Sequence, residues 1–157
     1  MVTLILVRHA KSDWGTPGQD DHERPLNDRG RRDAPVMAAR LVESGTRVDA
    51  LLSSTAVRAR TTAAAFGAAL GLEPRLSDDL YGAGARRLSD SAAASGAASV
   101  LVVAHDPGMT VLAEQLSGGG IGHMPTCAVA VFEWQTDDWD VATSTDPDSW
   151  RFDSPRG

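Results

Sequence analysis

Thr3-Leu4-Ile5-Leu6-Val7 is an unbroken apolar run closed on its carboxyl side by Arg8-His9. Apolarity without period-two alternation is the pattern of a strand buried on both faces, as in the centre of a parallel sheet. Ser99 to Ala104 repeats the pattern and ends at His105, Asp49 to Ser53 is a shorter run, and Glu73 to Ser77 a brief one. Helical patterns separate them. From Asn27, a candidate N-cap, apolar residues Ala34, Met37, Ala38, Leu41 and Val42 recur at helical spacing up to Gly45. Pro35 inside this span predicts a kink or a later start, because it removes a backbone donor. An alanine-rich helix is expected from Ala56 to Leu70, with Ser54-Thr55 as its capping pair and Gly71 as its stop. Leu88 to Ala98 reads as a weaker helix and Met109 to Leu116 as another, with Gly118-Gly119-Gly120 a turn, linker or lid.

After Pro125 the pattern changes. Cys127 to Trp134 and Trp139 to Thr145 predict an antiparallel hairpin at the sheet edge, and residues 146–157 a surface tail. Strands alternating with helices imply a three-layer α/β/α fold with a mostly parallel central sheet, one domain over residues 1–157. The composition agrees: 157 residues with 42% hydrophobic and 23% charged side chains suffice for one buried core and exclude a disordered chain. The net charge of -6 offers no overall basic field, so a nucleic-acid partner is not expected, although a few arginines converging in a pocket still attract a small anion. A lone Cys127 forms no internal disulfide, and the Val2–Val7 run has no basic n-region before it and no small-residue cleavage site, and is too short to span a bilayer. A cytoplasmic location without membrane attachment is the expectation.

In open α/β sheets ligands bind beyond the carboxyl ends of the strands. Arg8 and His9 stand at one such end, His105 at another, and Arg58 in the first turn of the helix after a third. An isolated Arg-His pair is ordinary surface decoration. Two imidazoles and two guanidiniums delivered to one rim, with helix N-termini beside them, suit an oxyanion. The polar stretch from Arg8 to Arg24, broken by Gly15, Pro17 and Gly18, reads as an active-site loop.

Leu6-Val7-Arg8-His9-Ala10-Lys11-Ser12, then Arg24-Pro25-Leu26, Ser54 through Arg58-Ala59 to Thr62, and Ala104-His105-Asp106-Pro107-Gly108 together resemble the histidine phosphatase superfamily with its phosphoglycerate mutase-like fold. Within it the resemblance is to the small SixA-type phosphohistidine phosphatases. The motifs occur in the family's order from the N-terminus to about residue 110; Ala10 stands where the family often has Gly. The resemblance implies a catalytic set of His9, Arg8, Arg58 and His105. His9 attacks phosphorus through one ring nitrogen, the other held as a donor to a backbone carbonyl. Arg8 and Arg58 clamp the phosphoryl oxygens, and His105 shares their charge. Arg24 is a further substrate-binding residue, reaching the phosphate from the side. No metal or other cofactor is implied.

A general acid is the least legible part. Larger members of the superfamily supply a carboxylic acid between the second Arg and the second His; here that segment offers Asp78, Asp79 and Asp90, and Asp79 is the candidate proton donor. Because imidazole leaves without a strong acid beside it, sparse acid chemistry favours phosphohistidine on a protein partner over sugar phosphates. A small phosphate-ester or nucleotide phosphatase, and a non-catalytic phosphohistidine-binding module, stay open as alternatives.

Several bland readings accompany these. Arg24 has Asp20 or Glu23 as nearby ion-pair partners, and Asp79 reads equally as a turn residue or cap. Lys11, Ser12 and Trp14 are placed to shape the mouth, Trp14 reads equally as a loop anchor, and none of the three is assigned a role. His22 and His123 read as exposed loop residues, Cys127 as a small buried side chain, and Trp134, Trp139 and Trp150 as packing residues.

Overall fold

The computed structural model describes Met1–Gly157. Its strands are β1 (Val2–Arg8), β2 (Ala50–Ser54), β3 (Arg75–Ser77), β4 (Ser99–Ala104), β5 (Val129–Trp134) and β6 (Ser149–Asp153). Its helices are α1 (Asp28–Glu43), α2 (Val57–Leu70), α3 (Ala85–Ala93), α4 (Gly108–Leu116) and α5 (Trp139–Ala142), with short 3₁₀ turns at Asp21–Glu23 and Asp78–Leu80. One sheet contains all the strands in the order β3-β2-β4-β1-β5-β6. Pairing is parallel from β3 to β1 and antiparallel from β1 to β6.

Strand periodicity explains the layers. Leu4 and Leu6 of β1 face one side with Val100, Val102 and Phe132, where Leu88 of α3 and Met109 and Leu112 of α4 cover them. Ile5 and Val7 face the other side with Leu101, Val103 and Val131, against Met37 and Leu41 of α1 and Ala63 and Phe66 of α2. Both faces are dry, which is why β1 and β4 read as continuous apolar runs rather than alternating ones.

Helix α1 starts at Asp28, where the Asn27 side chain accepts from the Gly30 backbone N–H at 2.9 Å. Pro35 neither delays this start nor ends the helix; it forgoes only the one backbone bond for which it has no N–H. Helix α2 stops as expected at Gly71, whose φ of 72° is left-handed. Ser54 and Thr55, however, are not the N-cap of this helix: that position is Ala56, whose side chain makes no capping bond.

The C-terminal hairpin is present, but its second strand is displaced along the chain. Trp139–Ala142 forms the short helix α5, started by the Asp138 side chain accepting from the Asp140 N–H. The partner of β5 is instead β6, within the expected tail, so residues 149–153 are an ordered edge strand. Trp150 on β6 packs against Gly120, which closes α4 with its neighbours rather than forming a lid. No helix is long and apolar enough to cross a membrane.

The loop after β1 is drawn shut by its own backbone. Ser12 bridges Leu26, Asp13 N–H donates to the Pro25 carbonyl at 2.8 Å, and Asn27 N–H donates to the Lys11 carbonyl at 2.9 Å. A Cβ at Gly30 would lie 2.2 Å from that same Lys11 carbonyl oxygen. Gly30→Ala is therefore expected to destabilise the fold by about 1–3 kcal/mol through overpacking, read as a lowered midpoint in urea unfolding at unchanged m-value.

Candidate active site

The site follows from strand register. Arg8 on β1 is paired with Ala104 on parallel β4, so the next residues, His9 and His105, leave the sheet side by side at the same level. The His9 N–H continues the ladder by donating to the Ala104 carbonyl at 3.1 Å, and the two imidazole centroids lie 5.1 Å apart. On the other flank of β4, Ser53 pairs with Val103, which brings Ser54 level with Ala104 and its hydroxyl within 2.8 Å of His105 Nε2. Ser54 Oγ also accepts from the Ala56 N–H.

His9 is held in one tautomer. Its Nδ1–H donates to the Ala10 carbonyl at 2.7 Å, leaving Nε2 with a free lone pair. Burial pushes this imidazole from 6.5 down to about 3; the bond to Ala10 opposes the fall, while His105, Arg58 and Arg8 add to it. Burial likewise pushes His105 down to about 4, helped by Arg58 and opposed by the charge of Asp21. Nδ1 of His105 is buried without a hydrogen-bond partner.

Arg58, in the first turn of α2, and Arg24, in the loop, are 6% and 7% exposed. Thr62, one turn further along α2, accepts from the Ala10 N–H and donates to the Arg58 carbonyl, pinning the helix to the chain after His9. Arg8 donates through Nη1 to the Met124 carbonyl at 3.0 Å and lies 3.5 Å from Asp106, while its Nε is buried and unpartnered. Arg24 bonds the Asp13 carbonyl and the Ser12 hydroxyl, and its guanidinium lies 3.2 Å from the ring centroid of exposed Trp14.

Asp21 is the residue that inspection of the sequence missed. Its carboxylate accepts from Arg24 Nη1 at 2.7 Å, Arg58 Nη2 at 2.9 Å and the Tyr81 hydroxyl at 2.6 Å. The bond from Tyr81, then those from Arg58 and Arg24, hold it well below the usual carboxylate range against the effect of its own partial burial. The i,i+3 spacing of Asp21 and Arg24 was the available signal, passed over for Glu23, adjacent to Arg24, and for Asp20, four residues before it.

Arg8, His9, Arg24, Arg58 and His105 thus line one open cavity of about 410 Å³, with Lys11, Ser12, Trp14, Asp21, Asp106 and Thr126. Asp79 does not. It sits on a separate surface depression beside Arg86 and Arg87 with its side chain in water, because the 3₁₀ turn at Asp78–Leu80 buries Leu80 instead. Asp90 shares that depression, and Asp78 accepts from Thr55. Asp79 is therefore withdrawn as the proton donor. His22, expected to be a free loop residue, bonds Thr55 and meets the Tyr81 ring edge-on. Cys127 is buried with its thiol pushed up to about 12 by that burial, the state of a packing residue.

The family model of the histidine phosphatase superfamily (branch 1) matches residues 4–84. The chain belongs to that superfamily. The uncharacterized protein Rv1276c of Mycobacterium tuberculosis is 38% identical over 109 residues, covering 68% of this chain and 67% of that one. Among solved structures, a candidate phosphohistidine phosphatase SixA from Agrobacterium tumefaciens is similar, with 30% identity, a TM-score of 0.82 and 98% of each chain covered. A second candidate SixA, from Nakamurella multipartitia, matches with 28% identity and a TM-score of 0.86 over 99% of this chain and 97% of that one. The sheet, mostly parallel with an antiparallel hairpin, is that of phosphoglycerate mutase-like proteins, and membership of this superfamily supports phosphatase activity.

The depressed imidazoles make stability depend on pH in a defined direction. Both stay neutral in the fold down to about 3 and about 4, whereas in the unfolded chain they take up protons below 6.5. Their contribution is complete above 6.5 and is lost as pH falls toward the folded values, with a slope of up to ~1.4 kcal/mol per pH unit from each group. The ligand-free protein should melt at a lower temperature at pH 5 than at pH 7, and a His9→Asn, His105→Asn double variant should show a flatter dependence.

Proposed function

We propose that the protein hydrolyses phosphohistidine on a protein partner through a covalent phosphoryl group on His9 Nε2. The observation that carries this choice is the state of the carboxylates at the pocket. Asp21 is ionised and shared by two guanidiniums and a phenol. Asp106 accepts from the Thr110 N–H and hydroxyl with its two oxygens. Both carboxylates are engaged as acceptors, so an alkoxide leaving group finds no free carboxylic acid, whereas an imidazole protonated on its other ring nitrogen departs as a neutral base. The similarity to the two candidate SixA structures over nearly the whole chain supports the same reading.

In this mechanism the phosphoryl group rests among Arg8, Arg58 and His105, with Arg24 at its side. The free lone pair of His9 Nε2 forms a bond to phosphorus, the phosphorus–nitrogen bond of the substrate breaks, and its electron pair stays on the departing imidazole, which leaves neutral because its other ring nitrogen already carries a proton. The arginines balance the charge on the non-bridging oxygens throughout. Water then attacks phosphorus, the bond to His9 breaks with its electron pair returning to Nε2, and the water protons pass to the released phosphate and solvent. The pocket is open to solvent, which suits a phosphorylated side chain presented by a folded surface. The rim residue Trp14, 75% exposed, is available to such a surface.

A histidine-phosphorylated phosphotransfer domain incubated with the protein should release inorganic phosphate, and His9→Ala should abolish release. Arg58→Ala is expected to lower turnover by about 100–1,000-fold. Rapid acid quench, neutralisation and base treatment should reveal an acid-labile, base-stable phosphate on the wild-type chain. Activity persisting in His9→Ala overturns the nucleophile; a phosphate monoester turned over faster than phosphohistidine overturns the substrate.

A further inference from the structure

We propose that Asp21 is a positioning residue of the phosphate site, joining Arg24 and Arg58 into one unit and tying Tyr81 against the flank of His105. The inference rests on the functional reading above and concerns how its oxyanion site is assembled. Arg24 comes from the loop after β1 and Arg58 from α2, so no single element fixes their relative placement. Both guanidiniums are nearly buried, with side-chain exposures of 8% and 7%, and two such cations side by side repel in a medium that screens poorly. One carboxylate resolves this by dividing its oxygens. Oδ1 accepts from Arg24, and Oδ2 from Arg58 and Tyr81. The main-chain carbonyl of Asp21 accepts a second bond from Arg58, Nη1 at 2.6 Å, which fixes the rotation of that guanidinium about its stem.

The same geometry decides between two roles for a carboxylate at an anion site. A competitor would exhaust the donors that the phosphoryl oxygens need. A guanidinium has five N–H groups. Arg58 uses one on each terminal nitrogen toward Asp21, and Arg24 uses one there and two on the Ser12 hydroxyl and the Asp13 carbonyl. Each arginine keeps unused N–H groups, so an oxyanion binds with Asp21 still in place. Tyr81 extends the arrangement. Held through its hydroxyl, it stands edge-on to His105 with centroids 5.5 Å apart, and edge-on to His22 at 4.9 Å. Asp21 thereby holds the ring that flanks His105 as well as two of the cavity's cations.

Asp21→Asn keeps the shape, removes the charge and turns an amide N–H₂ toward a guanidinium. Titration calorimetry with inorganic phosphate should show a Kd about tenfold or more above wild type, the size of a lost charge-assisted bond. Steady-state hydrolysis of the phosphorylated domain should show the change mainly in KM. Asp21→Glu, which restores the charge on a longer stem, should recover part of the affinity. Tyr81→Phe, which keeps the ring, should weaken binding in the same direction by less. Circular dichroism checks folding; where Asp21→Asn fails to fold, the glutamate and phenylalanine variants carry the test. A folded Asp21→Asn that binds phosphate as tightly as wild type, or more tightly, overturns the inference and leaves the His9 mechanism standing. A wild-type protein that binds no phosphate and releases none overturns both.

Discussion

The parallel pairing of β1 with β4 is the constraint on which the rest depends. Backbone hydrogen bonds fix Arg8 opposite Ala104, and one residue later the chain delivers an imidazole from each strand. A slip of one residue in either strand would reverse its side chains, sending Ile5 and Val7 to the wrong core and separating His9 from His105. The two apolar cores therefore guard the register, and the register makes the site. Helix α2 adds Arg58 because the next strand out, β2, pairs with the same β4 and ends level with it.

Around this frame the electrostatics are arranged in shells. Neutral imidazoles occupy the centre, kept neutral chiefly by burial, and guanidiniums surround them. A half-exposed carboxylate shared by two of the guanidiniums limits their mutual repulsion. The result is a pocket that carries positive charge on guanidiniums, which do not lose a proton, while His9 keeps a lone pair at any ordinary pH. An incoming dianion finds donors already aimed, so little side-chain freedom is lost when it binds.

Much of this was legible in the sequence because the signals were strong and local. The runs Thr3 to Val7 and Ser99 to Ala104 could be read as buried strands since both faces of each are covered, and the histidines at their ends inherited their places from that. What was not legible depended on turns. Ser54 resembled a helix cap, yet its hydroxyl serves His105, because the chain enters α2 through Ala56. Asp79 resembled an acid facing the site, but a 3₁₀ turn spends that position on burying Leu80. Asp21 was hidden for the converse reason: a short turn lifts one carboxylate out of an acidic loop and sets it between arginines. The β-rich look of residues 139–145 gave way to a helical turn because Asp138 caps it, and the sheet found its edge strand beyond. Local pattern was sufficient for the layers, whereas the polar groups were allotted by contacts between distant segments.

The backbone clasp that joins Lys11 through Asp13 to Pro25 through Asn27 has an evolutionary corollary. It encloses a stretch whose first part, from Trp14 to Asp20, is exposed, whereas Asp21 and Arg24 further along return to the pocket. Extra residues added inside the clasp raise its closure entropy only logarithmically and leave His9 and α1 where they are. A lineage could thus grow a roof, exchange the aromatic tip or narrow the entrance by insertion at this one point, changing which molecules enter while the chemistry beneath is inherited intact.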